Sequence, residues 1–346
     1  MLKVMLMSKK NLLNQNQIVE ALLRPSSYKE ETGQIELRQT HISFIFLTKD
    51  FAYKIKKAVD FGFLDFTTLE KRRIYCEKEL ELNRRLCRDM YLDVVPIRKS
   101  NIITINGDGE IIEYAVKMKR ISEEKIMSLL IEESKVNKKT IDKIARIIAE
   151  FHLEAKNNEH VDKFGSLPTI EANWSENFEQ TLEFINKTIS LKMYNIIHDN
   201  VINFMKRNYA YFEKRIKDKK IRDCHGDIHS GNIFIDDNIY IFDAIEFNER
   251  FRYSDCASDI AFLAMDLDFK NRKDLSDFLI KKYIEYSHDK ELEKVLTFYK
   301  CYRAYVRGKV ISFRLNDSNM DKSHKDVAKK EANAYFNLAT QYAKKL

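Results

Sequence analysis

In the first third of the chain, short runs rich in β-branched and aromatic residues partly alternate with polar ones: IELRQ (35–39), ISFIFLT (42–48) and FAYKIKK (51–57). That period predicts strands. DVVPI, NIITI and IIEYAVKMK (93–119) continue it, with NGDG (106–109) as a hairpin turn. Between the two sets the period lengthens. Thr67 and Glu70 are spaced as a capping box, and Ile74, Leu80, Leu82 and Leu86 supply the apolar face of a helix ending near Cys87. Beyond residue 120 the helical period takes over. Thr140 is expected to cap a helix with Ile141, Ile144, Ile148 and Phe151 on one side. Further helices are predicted over 172–187, 190–217, 257–268, 272–287, 291–315 and 323–344. One island interrupts them: CHGDIHSGNIFIDDNIYIFDAIEF, 224–247, a loop, a strand, a turn at Asp236–Asp237–Asn238 and a second strand ending in an acidic loop. The pattern predicts an α+β chain with a small β-rich lobe over 1–119 and a larger, mainly helical lobe over 120–346.

Composition narrows this picture. Of 346 residues, 44% are apolar and 12% aromatic, ample for packed interiors, and three prolines with eight glycines argue against disordered linkers or a many-turned β fold. The net charge of +7 is spread along helical faces where Lys and Glu alternate, so no specific nucleic-acid binding is expected. Cys76, Cys87, Cys224, Cys256 and Cys301 lie far apart without a CxxC pair, which predicts reduced thiols and no zinc site. The opening MLKVMLMSKK is too short for a signal-peptide core, and no stretch reaches the roughly 18–20 apolar residues of a membrane span. A cytoplasmic protein without membrane attachment is expected.

Candidate chemistry concentrates at HGDIHSGN (225–232). Polar residues this dense beside a hydrophobic strand rarely serve packing. Asp243 stands eleven residues past Asn232, at the end of IYIF. Asn232 and Asp243 offer the hard oxygens that magnesium prefers alongside phosphate and water. Asp227 remains to orient a hydroxyl and take its proton, a division of labour known from phosphoryl transfer. Kinase catalytic loops also set the base aspartate five residues before the metal asparagine, the spacing of Asp227 and Asn232. The tripeptide Asp60-Phe61-Gly62 spells the kinase magnesium motif, but it precedes the loop, whereas the kinase aspartate follows it. It is expected to be a turn, with Phe61, Phe63 and Phe66 packing the small lobe. Rival chemistries fit worse. GDIH opens metallophosphoesterase motifs, yet the companion segments are missing, and no GxSxG elbow supports a triad hydrolase.

The stretch His225-Gly226-Asp227-Ile228-His229-Ser230-Gly231-Asn232 resembles the H-G-D-x-H-x-x-N loop of the aminoglycoside phosphotransferase family, and Phe242-Asp243-Ala244 is similar to its metal-aspartate segment. THISFIFL, YKIKKAVDFGFLDFTTLEKRR and FDAIEFNERFRYSD resemble a bacterial subgroup often fused to a P-loop ATPase domain. No GxxxxGK[ST] occurs in this chain, so a stand-alone unit is expected, with a separate P-loop ATPase as a possible partner. The resemblance implies a bilobed protein-kinase-like fold, ATP and Mg2+ as cofactors, and transfer of the γ-phosphate to a hydroxyl of a small molecule. It implies Lys54 as the phosphate lysine, with Lys56 as alternative, and Glu79 as its partner, with Glu77 as fallback. Met118, Lys119 and Arg120 would form the adenine-reading hinge. Ser43, in Thr40-His41-Ile42-Ser43, would meet phosphates in place of a missing glycine-rich loop. His225 and His229 would support the catalytic loop, and Asp259, in Ser258-Asp259-Ile260-Ala261, would buttress it.

For the acceptor, residues 250–346 hold more Lys and Arg than Asp and Glu, and Arg303, Arg307 and Arg314 share a helix face. An anionic acceptor is therefore weighed against a polycationic drug, with Glu246, Asp255, Arg303 and Arg307 as candidate acceptor contacts. The alternatives are a non-catalytic kinase-like nucleotide-binding regulator and a kinase acting on protein.

Overall fold

The computed structural model describes residues 9–317 and 320–346, and side chains from residue 15 onward. The apolar opening run at 1–7 lies outside the described residues. The chain divides into two compact units, Met1–Ile126 with Asn232–Glu249, and Met127–Gly231 with Arg250–Leu346.

The first unit is built on a six-stranded antiparallel sheet. Its strands are β1 (Glu36–Gln39), β2 (Ser43–Leu47), β3 (Phe51–Lys56), β4 (Tyr91–Lys99), β5 (Ile103–Ile105) and β6 (Glu110–Lys119), in the order β1-β2-β3-β6-β4-β5. Helix α1 (Lys9–Leu22) and helix α2 (Leu69–Cys87) are packed in different core clusters of the sheet. Alternation along β3 sorts its residues between them. Tyr53 and Ile55 join Ile18 and Leu22 of α1, while Ala52 joins Cys76 and Cys87 of α2. Lys54 and Lys56 share the α2 side. The predicted hairpin turn links β5 to β6, with Asn106 and Gly109 left-handed at φ 53 and 103. A Cβ at Gly109 would lie 2.2 Å from the Lys99 carbonyl oxygen.

Helix α2 departs from its expected cap and face. Thr68, not Thr67, is the N-cap, accepting the Lys71 N–H at 3.2 Å, because Thr67 is held by Asp65 (2.6 Å). Ile74, expected in the apolar face, is 39% exposed, and the buried positions include Arg72, Cys76, Glu79 and Asn83. At Asp60-Phe61-Gly62 the chain turns, with Gly62 at φ 80 donating to Asp60 Oδ1 (2.8 Å). Phe66 is buried, but Phe63 is 47% exposed and stacks on Phe61 instead of packing inward. The hairpin Ile233–Ile235/Ile239–Ile241 belongs to this unit, its turn closed by the Asp236 N–H on the Asn238 carbonyl (2.9 Å). Phe234 and Tyr240 complete the α2-side core.

The second unit is helical, with α3 (Met127–Glu132), α4 (Lys138–Glu154), α5 (Glu159–Asp162), α6 (Leu167–Thr181), α7 (Leu191–Arg207) and α8 (Tyr209–Lys217). These are followed by α9 (Glu249–Arg252), which starts at the unit boundary, then α10 (Cys256–Phe269), α11 (Lys273–Ser287), α12 (Glu293–Phe313) and α13 (Lys322–Ala343). Helix α4 is capped by Asn137, whose Oδ1 accepts the Thr140 N–H at 3.1 Å, so Thr140 sits inside the first turn. The stretch 190–217 breaks at Asn208 into two helices. Every residue of α10 from Cys256 to Leu267 is buried, which marks it as the central helix of the unit. Two short strands, Ile221–Asp223 and Tyr253–Asp255, pair antiparallel and lead into the 225–231 loop and α10 respectively. No helix among the described residues is long and apolar enough to cross a membrane.

Candidate active site

Within the first unit, Lys54 and Lys56 meet a chain of carboxylates. Lys54 Nζ lies 2.8 Å from Glu79 Oε1 and 2.7 Å from Asp243 Oδ1. Lys56 Nζ lies 2.7 Å from the other Glu79 oxygen and pairs with Glu246. Residues two apart on β3 project to one side, and Glu79 faces them both. Burial opposes charge on the lysines, but Asp243 and Glu79 overcome it and raise Lys54 well above its ordinary value. Burial likewise opposes the Glu79 carboxylate, and the two ammonium groups hold it low. The set carries three carboxylates to two ammonium groups. Asp243 is the outermost, its side chain 45% exposed against 0% for Glu79 and 5% for Glu246. It takes a left-handed backbone at φ 66, rare for a residue with a Cβ. Neighbouring hydrogen bonds fix this segment: Phe242 N–H to the Asn232 carbonyl (3.0 Å) and Ala244 N–H to Asn83 Oδ1 (2.9 Å). Asn232 is buried beside the hairpin.

Within the second unit, the 225–231 loop is held by its backbone. Asp259 accepts the N–H groups of His225 and Gly226, both at 2.9 Å, and pairs with His152 Nε2 at 3.1 Å. Arg303 donates to the Gly226 carbonyl and to the Ser258 carbonyl, each at 3.0 Å. Gly226 is thus gripped from both sides at φ 90. His225 Nδ1 accepts the Asp227 N–H (3.2 Å), and Asp266 accepts that of Ser230 (2.9 Å). His229 Nδ1 accepts the Gly231 N–H at 3.1 Å, which puts the proton of the neutral ring on Nε2, 3.7 Å from Asp227 Oδ2. Burial pushes the Asp227 carboxyl up, but His229, Arg307 and His225 outweigh it and hold the group at about 2.

The remaining candidates fall as follows. Glu77 is exposed beside Arg73, 3.8 Å away. Met118 is buried opposite Ala52 at the end of β6. The Lys119 and Arg120 N–H groups donate to the Met90 and Asp50 carbonyls at 2.8 Å, and Arg120 pairs with Glu36. Ser43 is buried opposite Lys56, its Oγ without a hydrogen-bond partner among the described residues. Asp255 caps α10 and forms a two-pronged pair with Arg215 at 2.6 and 2.9 Å. Three further supports lie outside the sequence motifs: the Arg72–Glu113 pair at 2.9 Å with Gln15 on Glu113 at 3.1 Å, then His152 and Asp266. A signal existed for Asp266, since AMDLDF sets acids inside an otherwise apolar helix. His152 follows Phe151 on a helix read only for its apolar period, and no motif marks it.

No family model matches the chain. It is 32% identical over 309 residues, 89% of its length, to uncharacterized proteins of Mycobacterium bovis and Mycobacterium tuberculosis, and it spans 59% of the length of those relatives. Among solved structures, a choline/ethanolamine kinase family protein from Mesorhizobium loti superposes with a TM-score of 0.53 at 11% identity, covering 97% of this chain and 100% of that one. A Ralstonia eutropha protein assigned to the aminoglycoside phosphotransferases gives 0.51 at 14% identity, covering 94% and 98%. The chain has the kinase-like fold these structures share: an antiparallel β-rich first part and a helical second part. Its likeness to aminoglycoside phosphotransferases, legible in HGDIHSGN, is matched by its architecture.

Proposed function

We propose that the protein is an ATP-dependent phosphotransferase that moves the γ-phosphate of Mg-ATP to a hydroxyl of a small molecule. The observation that carries this reading is the Asp243–Lys54–Glu79 chain at the end of the hairpin that follows HGDIHSGN. The fold likeness to kinases supports it. Lys54, held by Glu79, would orient nucleotide phosphates. Asn232 and Asp243 would hold the metal. They fit a hard cation because both offer oxygen, and because Asp243 is the exposed carboxylate of the set. Bound there, magnesium supplies neutralisation of phosphate charge. Asp227, a carboxylate at neutral pH, accepts the hydrogen bond of the acceptor hydroxyl and takes its proton. At a carboxyl of about 2 its main contribution is orientation, in keeping with the loose transition state of phosphoryl transfer.

The acceptor is read as anionic. Arg307 contributes to the electrostatic field at Asp227. Arg303 is spent on the Gly226 and Ser258 carbonyls, Asp255 on Arg215 and Glu246 on Lys56. The test is unbiased. Protein and Mg-ATP are incubated with a metabolite extract, and mass gains of one phosphate are sought, with Asp227→Asn as control. Gains that persist in the control, or none with the wild type, contradict the proposal.

A further inference from the structure

Behind the 225–231 loop, in the second unit, His152, Cys224 and Cys256 bring one nitrogen and two sulfur atoms within 4.8 Å of one another, all three side chains buried. No close spacing announces them: they come from α4, from the residue before the loop, and from the first residue of α10. The two short paired strands deliver both cysteines, with the Cys224 N–H on the Arg252 carbonyl (3.2 Å) and the Cys256 N–H on the Lys220 carbonyl (3.0 Å). We propose that these three side chains bind one zinc ion, with the Tyr283 hydroxyl at the fourth position.

The second layer of contacts is the one metal-ligating histidines use. His152 Nε2 is engaged by the Asp259 carboxylate at 3.1 Å, which fixes the ring. Nδ1 is left for the metal, and its present partner is the Tyr283 hydroxyl at 2.8 Å, which itself lies in the field of both thiols. A tetrahedral site with Zn–S of about 2.3 Å and Zn–N of about 2.0 Å has edges of about 3.5–3.8 Å. The cluster therefore closes on the ion by shifts of about an ångström or less. Two thiolates and an imidazole also select zinc over magnesium or calcium.

Zinc takes the two sulfurs as thiolates and the imidazole as the neutral ring, so binding releases the protons these groups carry. Because Asp259 also accepts the His225 and Gly226 N–H groups, an ion at this site would tighten the loop through the histidine.

The test uses the full chain and does not depend on phosphotransfer. Protein produced with zinc supplied is expected to carry about one zinc per chain. After chelation and reloading with Co2+ it should show thiolate-to-cobalt charge-transfer absorption. Cys256→Ala should lose the metal and Cys301→Ala keep it, and loaded protein should exchange the His225 and Gly226 amides more slowly than chelated protein. Folded wild type without the charge-transfer band overturns the site, whether or not the variant folds. A wild-type mass lighter by two hydrogens and restored by reductant overturns it in favour of a disulfide.

Discussion

Burial alone would raise the carboxyl of Asp227, yet His229, Arg307 and His225 together hold it at about 2. A carboxyl lowered in the folded state adds stability that is complete above its ordinary value and lost as pH falls through about 2. Asp227 therefore does not titrate between pH 5 and 8, and an acid limb in that window must come from another group. Asp227→Asn should cut turnover by about 10²–10⁴-fold while changing nucleotide affinity little by calorimetry. A parallel loss of nucleotide binding would contradict its assignment to the acceptor side. The two arginines on the same helix separate by what they touch. Arg303→Gln frees the Gly226 and Ser258 carbonyls and should lower melting temperature and turnover together. Arg307→Gln should raise KM for an anionic acceptor by about tenfold, the loss of one charge-assisted contact, with little change in melting. Equal effects of the two on melting would sink the distinction.

Helix α2 shows what periodicity can and cannot find. Its existence and C-terminal end were legible from Leu80, Leu82 and Leu86, and its start was displaced by one residue because Asp65 competes for Thr67. Its buried face was not legible. Arg72, Cys76, Glu79 and Asn83 recur at helical spacing, but a hydrophobic pattern discards charged residues as solvent-facing. Their partners are distant in sequence: Glu113 for Arg72, the β3 lysines for Glu79, the Ala244 N–H for Asn83. The loop 225–232 was legible for the opposite reason, since its candidate residues are adjacent in sequence. The buried face carries a stability prediction. Arg72→Met leaves Glu113 buried without its counter-ion and should cost about 3–5 kcal/mol. Arg72→Met/Glu113→Leu should recover much of that, while Ile74→Ser should stay within about 0.5 kcal/mol. Urea unfolding of the three proteins decides it, and a harmless Arg72→Met would show that the pair contributes nothing.

At the scale of the whole molecule, the change of pattern near residue 120 and the compact units run differently along the chain. Residues 232–249 lie beyond most of the helices in sequence, yet belong with the sheet. They bring Phe234 and Tyr240 into its core, and Asp243 and Glu246 onto Lys54 and Lys56. A segment cut at 126 would keep both lysines and Glu79 but lose two of their three carboxylates. That would leave a buried cation in excess and an open apolar surface. Each defect is destabilising by several kcal/mol, against a total stability of about 5–15 kcal/mol for a domain. Residues 1–126 expressed alone should therefore show no cooperative urea transition. The same segment joined through a flexible linker to 232–249 should regain one. If the joined protein also carries Lys56→Met, its midpoint should fall again, because Glu246 then enters the core unpaired. A cooperative transition in 1–126 alone would mean that the sheet and α2 suffice without the hairpin, and that the lysine–carboxylate chain serves chemistry rather than folding.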